Sequence, residues 1–303
     1  MTRHFLEIND LSVHELHRVL DLAEDPERPQ VLAGQTATLV FEKPSARTRV
    51  SLETAVAELG GHPISLRNEE VGIDVRESAE DLGRLFSGYS AFVAARTFEH
   101  DKLERLAGAA AVPVINLLTD LNHPIQILAD FLTIRAEFGT IEDLTVAWVG
   151  DASNVARSLA LGCHLVGSRF RIAHPEGFGF SVRSSMDLAR AGCTPLLCSS
   201  PAAAVAGADV VVTDAWYSMG QEAERTARQA AFASFRVDEA LMGAAAPHAI
   251  FMHCLPAHRG DEATDGVLDG PQSRIWPEAQ NRLHSARGLI RFLAETGELG
   301  DAR

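Results

Sequence analysis

The sequence predicts an α/β fold of two domains, each with a central parallel sheet flanked by helices. Short apolar runs typical of buried strands alternate along the chain with segments of helical periodicity. The chain has 303 residues, which is longer than most single domains. The first alternating series ends and a second begins on a fresh strand, so we place the domain boundary near Glu137–Glu142.

The elements of the two series can be assigned in chain order from apolar runs and helical spacing. In the first half, the strands are Thr36–Phe41, Ala91–Ala95 and Val112–Leu117, and the helices are Arg47–Leu59 and Ala129–Phe138. Gly139 suits the end of the second of these helices. In the second half, the strands are Thr145–Val149, Phe170–Ala173, Asp209–Thr213 and Ala249–Met252, and a last helix covers Pro277–Glu295.

Composition excludes several classes of protein. Hydrophobic residues make up 46% and charged residues 22%, the balance of a soluble globular protein. Neither a signal peptide nor a membrane span is expected, because no apolar run is long enough. The four cysteines have no metal-ligand spacing, which favours a reducing cytoplasm. A net charge of -14 argues against nucleic acid, and it requires any site for an anion to concentrate positive charge locally.

A cluster of cations and hydroxyls follows the first strand and begins the first helix. It contains Ser45, Arg47, Thr48 and Arg49. A helix N-terminus carries unsatisfied N–H groups and a positive dipole end, and arginine adds a bidentate fork for phosphate oxygens. Cations in a first turn oppose the helix dipole unless an anion binds, so the cluster predicts a phosphate site. For Arg49 alone, a solvated surface position is an equally good interpretation.

The motif Ser45-x-Arg47-Thr48-Arg49 resembles the phosphate-binding signature of the aspartate and ornithine carbamoyltransferase family. Ala46 stands where the family usually has threonine, which removes a hydroxyl but keeps the backbone N–H. Arg96-Thr-Phe and His123-Pro-x-Gln126 are similar to two further elements of that family. The resemblance implies that Arg96, His123 and Thr48 donate to the carbonyl oxygen of carbamoyl phosphate, while Gln126 accepts from its NH2 group.

The second half resembles the ornithine carbamoyltransferases of that family more closely than the aspartate enzymes. The segments concerned are Asp214-x-x-x-Ser218-Met219-Gly and His253-Cys254-Leu255-Pro. The resemblance implies that ornithine binds to Asn154, Asp214, Ser218 and Met219. It also implies that carbamoyl phosphate binds to Ser45, Ala46, Arg47, Thr48, Arg96, His123, Gln126, Cys254, Leu255 and Arg282. Of these, Arg96, His123 and Cys254 are the expected catalytic residues, with Cys254 orienting the amine and forming no covalent bond.

The resemblance also implies how the chain is organised. Residues 1–137, completed by a C-terminal helix over about 283–303, are expected to bind carbamoyl phosphate, and residues 142–282 to bind ornithine. We expect citrulline and phosphate as products within arginine metabolism, no metal or organic cofactor, and a homotrimer or a multiple of trimers.

The family pattern breaks at Ile64–Ser78, where a glutamine loop that completes a neighbouring subunit's site is not recognisable. Two alternatives stay open. One is another acceptor amine such as putrescine, lysine or an acylated ornithine. The other is a non-catalytic homologue that binds carbamoyl phosphate or serves as a partner protein.

Overall fold

The computed structural model describes residues 2–217 and 224–300, and within them the chain divides into two compact units. The first unit contains the residues up to Leu132 together with those from Gln280 onward, and the second contains Thr133–Ala279. The boundary inferred from the sequence, Glu137–Glu142, lies a few residues beyond the first of these division points. In the described ranges no helix has both the length and the hydropathy that crossing a membrane requires.

The first unit is built around a four-stranded parallel sheet. Its strands are β1 (Thr36–Phe41), β2 (His62–Arg67), β3 (Phe92–Arg96) and β4 (Val114–Leu118), in the order β2-β1-β3-β4. Its helices are α1 (Val13–Glu24), α2 (Ala46–Glu58), α3 (Asn68–Val71), α4 (Ala79–Ser87), α5 (His100–Ala109) and the first part of α6 (Pro124–Phe138). The strands β1, β3 and β4 are almost fully buried, as their apolar runs predict.

The second unit has a five-stranded parallel sheet. Its strands are β5 (Thr145–Val149), β6 (Arg169–Ala173), β7 (Leu196–Leu197), β8 (Val210–Thr213) and β9 (Ile250–His253), in the order β7-β6-β5-β8-β9. Its helices are α7 (Asn154–Leu165), α8 (Val182–Arg190), α9 (Pro201–Val205), α10 (Arg225–Phe232), α11 (Glu239–Met242) and α12 (Asp265–Leu268). The two sheets therefore confirm the predicted fold class.

The last helix, α13 (Ile275–Glu295), returns the chain to the first unit. Gly288 lets α13 approach α1 closely, because a Cβ at that position would clash with the carbonyl oxygen of Val19. Two buried arginines of α13 then bind the C-terminal end of α1: Arg287 donates to the Ala23 carbonyl at 3.2 Å, and Arg291 donates to the Leu22 carbonyl at 3.1 Å. These bonds satisfy carbonyl groups that a helix end leaves without partners.

Candidate active site

In the first unit, the candidate residues collect at the point where the strand order reverses. The strands β1 and β3 are neighbours, and Phe41 at the end of β1 lies beside Arg96 at the end of β3. The segment that contains Ser45 follows β1, so Ser45 and Arg96 leave the same edge of the sheet. Ligands of open parallel sheets bind at such switch points, outside the carboxyl ends of the strands.

Helix α2 begins at Ala46 and presents its N-terminus at this edge. Ser45 occupies the N-cap position, yet in the described chain its hydroxyl makes no capping bond to the α2 backbone and donates to Thr48 Oγ1 at 3.0 Å. The first turn holds Arg47, which is exposed, and contains no acidic residue. Ala46 is exposed as well. The helix terminus is thus arranged to receive an anion.

Arg49 does not share this arrangement. Its Nε donates to Glu53 Oε1 at 2.7 Å one turn along α2, and Glu53 also accepts from the Ser65 hydroxyl. Arg49 therefore belongs to a surface ion pair, which is the simpler of the two interpretations that the sequence allowed.

A buried hydrogen-bonded chain lies behind the α2 terminus. Arg282, from α13, donates to Gln126 Oε1 at 2.5 Å and to Thr48 Oγ1 at 2.8 Å. Gln126 in turn donates from Nε2 to Asp130 Oδ1 at 2.8 Å. All four side chains are at most 4% exposed. Buried polar groups are stabilised only when they are paired in this way, so the chain holds three of the predicted residues in fixed positions.

His123 is also buried, at the start of α6. Burial holds the pKa of its imidazole well below the usual value, and the positive charges of Arg282 and Arg96 lower this pKa further. Arg96 likewise lowers the pKa of Lys43, although burial is the larger cause there. His123 is therefore a neutral imidazole at physiological pH, surrounded by cations, and it can donate one N–H to a developing oxyanion.

In the second unit, the candidate residues again lie at the reversal of strand order, which falls between β5 and β8. Asp151 and Asn154 follow β5, Asp214 follows β8, and Cys254 follows the next strand, β9. The Cys254 thiol donates to Asp214 Oδ1 at 3.2 Å. Burial raises the pKa of Asp151, a shift that Arg228 opposes and the charge of Asp214 increases. Because Asp151 already pairs with Arg228 at 2.8 Å, Asp214 is the carboxylate of the two that can attract a cationic amine.

The turn after β9 is held by two buried carboxylates that the sequence did not indicate. His253 donates from its backbone N–H to Glu278 Oε2 at 2.8 Å, and its Nε2 lies 3.2 Å from Glu262 Oε1. The backbone N–H of Leu255 donates to His253 Nδ1, which places the imidazole proton on Nε2, facing Glu262. Leu255 has a φ of 59°, which is unusual for a residue other than glycine, and its backbone N–H is the group that donates to His253 Nδ1.

One group of side chains in the described ranges has the composition of a metal site. Ligand atoms of Asp214, His253 and Cys254 all lie within 4.8 Å of one another. Both ring nitrogens of His253 are already used, one as an acceptor from Leu255 and the other as a donor to Glu262. This commitment makes the imidazole a poor ligand, because binding a metal would require it to give up one of these bonds. The lack of a metal cofactor stays a prediction.

The structure brings the predicted residues together as two clusters, one in each unit. The cluster in the first unit contains Ser45, Ala46, Arg47, Thr48, Arg96, His123, Gln126 and Arg282. The cluster in the second unit contains Asn154, Asp214, Cys254 and Leu255. The predicted residues Ser218 and Met219 lie outside the described residues.

The fold and the clusters define a class of protein. One unit offers a helix terminus, buried cations and a neutral imidazole to a phosphate-bearing group, and the other offers carboxylates and a thiol to an amine. These are the parts of a group-transfer enzyme with a phosphorylated donor.

The particular family follows from two family models that cover most of the chain. Residues 3–136 match the carbamoyl-P binding domain of aspartate/ornithine carbamoyltransferase, and residues 142–293 match its Asp/Orn binding domain. The chain belongs to the aspartate/ornithine carbamoyltransferase family.

Individual relatives extend this match over nearly the whole length. The chain is 46% identical over 291 residues to an ornithine carbamoyltransferase of Haloquadratum walsbyi, covering 94% of this chain and 96% of the relative. It is 46% identical over 299 residues to one of Halorhodospira halophila, covering 96% and 98%. Among solved structures, the ornithine carbamoyltransferase of Pyrococcus furiosus matches with a TM-score of 0.90 at 39% identity, covering 96% of each chain.

Proposed function

We propose that this protein transfers the carbamoyl group of carbamoyl phosphate to the side-chain amine of L-ornithine, giving L-citrulline and phosphate. The observation that carries the proposal is the near full-length similarity to proteins named ornithine carbamoyltransferase, at 46% identity. The clusters support it chemically, because each suits one of the two substrates. The first unit binds carbamoyl phosphate, and the second binds the amino acid.

The donor end is explained by charge and hydrogen bonding in the first unit. Phosphate binds to the N-terminus of α2 with Ser45, Arg47 and Thr48, whose contacts also stabilise the phosphate when it leaves. The carbonyl oxygen accepts from Arg96 and from the neutral imidazole of His123, which is held neutral by burial and by the surrounding cations. Gln126 Oε1 accepts from the carbamoyl NH2.

The reaction itself is an addition followed by an elimination. The lone pair of the neutral amine forms a C–N bond with the carbonyl carbon, and the carbonyl electron pair moves to oxygen. This oxyanion then expels phosphate by breaking the C–O bond, and the amine nitrogen gives its proton to the departing phosphate. An alkylamine with a pKa of about 10.4 is neutral in only about one molecule in a thousand at pH 7.4, so deprotonation costs about 4 kcal/mol.

The acceptor end is supported by the second unit. Asp214 supplies the negative charge that attracts an ammonium group, and the Cys254 thiol, which lies 3.2 Å from the Asp214 carboxylate, is placed to orient the amine. Asn154 adds an amide at the start of α7. Ser218 and Met219 enter the proposal by family resemblance.

The wider assignments belong to the same proposal. We assign the protein to arginine biosynthesis in the cytoplasm, and the four free cysteines fit a reducing compartment. We assign a trimer, for which the exposed apolar side chains Val50, Ile64 and Val75 of the first unit offer contact area. Light scattering after gel filtration should then give about 98 kDa, three times 32.7 kDa, whereas 32.7 kDa would contradict the trimer.

The test of the function compares acceptors at one fixed concentration of carbamoyl phosphate. Ornithine, putrescine and lysine are supplied in turn, and the carbamoylated product and released phosphate are both measured. We expect ornithine to give the highest kcat/KM with one phosphate per citrulline. A preference for putrescine or lysine would overturn the acceptor, and no turnover with any amine would favour a non-catalytic homologue.

A further inference from the structure

The buried amide of Gln126 lies between two side chains of opposite charge. Its Nε2 donates to Asp130 Oδ1 at 2.8 Å, and its Oε1 accepts from Arg282 at 2.5 Å. Gln126 is fully buried and Asp130 is 2% exposed. Both lie on α6, one helical turn apart, so the backbone fixes their relative position.

The chemistry of these neighbours permits only one orientation of the amide. A carboxylate offers acceptors and a guanidinium offers donors, whereas an amide has one of each. Reversal of the amide would direct its oxygen at the Asp130 carboxylate and its NH2 at the guanidinium of Arg282. Both contacts would then be repulsive, and a buried polar group left without a partner is costly.

We propose that Asp130 is a positioning residue for carbamoyl transfer, which fixes Gln126 with its amide oxygen available to the carbamoyl NH2. The inference rests on the proposed function, in which this oxygen accepts from the NH2 of carbamoyl phosphate. Arg282 also favours this orientation, but it is itself a ligand of the phosphorylated substrate. Asp130 is not among the residues that the proposed function assigns to that substrate, so its bond to Gln126 does not depend on substrate binding.

The first test is Asp130→Asn, which keeps the shape of the side chain and removes its charge. An asparagine can donate as well as accept, so position 130 no longer opposes reversal of Gln126, and Arg282 alone favours the orientation that directs the amide oxygen at the carbamoyl NH2. We expect affinity for carbamoyl phosphate, measured by calorimetry without any amine, to fall on the order of tenfold to a hundredfold. In turnover, the KM for carbamoyl phosphate should rise while the KM for ornithine stays within about twofold.

A transposed pair separates orientation from a merely structural role. Gln126→Glu alone places two carboxylates against each other and should weaken binding. In the double variant Gln126→Glu, Asp130→Asn, the donor and the acceptor exchange places. The introduced asparagine donates to one oxygen of the introduced glutamate, and the other glutamate oxygen remains an acceptor for the carbamoyl NH2. We expect the double variant to bind carbamoyl phosphate about tenfold more tightly than Gln126→Glu, a coupling that independent structural defects do not produce.

The matched control is Asp25→Asn, which removes another carboxylate that pairs with an arginine of α13. Asp25 accepts from Arg291 at 2.6 Å, apart from the candidate residues. Its variant should keep the wild-type affinity for carbamoyl phosphate. Circular dichroism establishes that each protein is folded.

Two results would overturn the role of Asp130. One is wild-type affinity in a folded Asp130→Asn protein, and the other is a double variant that binds no better than Gln126→Glu. If the wild-type protein binds no carbamoyl phosphate, the proposed function fails instead. If it binds carbamoyl phosphate but does not use ornithine, the acceptor alone is wrong and the role of Asp130 can still be tested.

Discussion

Arg282 provides the sharpest test of the donor site, because one planar guanidinium bridges two candidate residues. Its two terminal nitrogens donate separately, one to Gln126 and one to Thr48, at 2.5 and 2.8 Å. The side chain is 4% exposed, so water cannot replace a lost donor easily. In Arg282→Lys, a single ammonium on a flexible stem keeps the charge but cannot reproduce the fork.

The expected loss follows from the number of bonds. A hydrogen bond to a charged group contributes about 1.5–3 kcal/mol, and if all of this free energy is expressed in ligand binding, losing one of the two bonds weakens carbamoyl phosphate binding by about tenfold to 150-fold, which is the upper limit. Arg282→Met removes both bonds and the charge. Simple addition of the two bonds gives a total loss of stabilising free energy of about 3–6 kcal/mol.

The assay is steady-state citrulline formation with each substrate varied in turn, accompanied by thermal unfolding of each variant. We expect the KM for carbamoyl phosphate to rise in Arg282→Lys, with the KM for ornithine nearly unchanged. Arg49→Lys is the matched control, since Arg49 pairs with Glu53 on the surface. A wild-type KM for carbamoyl phosphate in folded Arg282→Lys would refute the bridging role.

Three further predictions concern protonation and the acceptor. Since the lowered pKa of His123 keeps the folded imidazole neutral while the unfolded one titrates near 6.5, stability should be lost as pH falls below about 6.5. His123→Gln should therefore show a smaller fall in Tm from pH 7.5 to 5.5 than the wild type, and an equal fall would contradict this pKa. Asp214→Asn should raise the KM for ornithine about tenfold or more but leave the calorimetric affinity for carbamoyl phosphate unchanged. If only the affinity for carbamoyl phosphate changed, Asp214 would not be an ornithine-binding residue. Finally, kcat/KM for ornithine should rise from pH 7 to 9 as the amine deprotonates. A flat profile would contradict a reaction in which the amine must first lose its proton.

The sequence predicted strands well where both faces are buried. The run Thr36–Phe41 coincides with β1, and Thr145–Val149 coincides with β5. It did not indicate β2, whose residues alternate between exposed and partly buried as in an edge strand, so no continuous apolar run marks them. Helix α6 begins at Pro124, five residues before the predicted Ala129, because proline is favoured at the first position of a helix.

Candidate site residues could be predicted from the sequence where they directly follow strands. Contacts between residues that are far apart in the sequence could not be predicted. Residues such as Arg96 and Asp214 stand directly at or after strand ends, which a linear pattern reveals. The bond from Arg282 to Thr48 joins positions 234 residues apart and was not predicted, since Arg282 was assigned to the carbamoyl phosphate site by family resemblance alone. The role of Glu262 depends on how the chain turns after β9, which neither spacing nor periodicity encodes.

The return of α13 to the first unit makes the order of synthesis matter. The carbamoyl phosphate half of the protein is encoded mostly at the start of the chain, but its arginine bridge arrives only with residue 282. During synthesis, the face of α1 that packs against α13 therefore stays uncovered until α13 has left the ribosome. The first and last described segments also lie side by side, with the Arg3 backbone N–H 3.3 Å from Glu298 Oε2. A circular permutant that joins these ends and opens at the loop before β5 would encode this half as one continuous stretch.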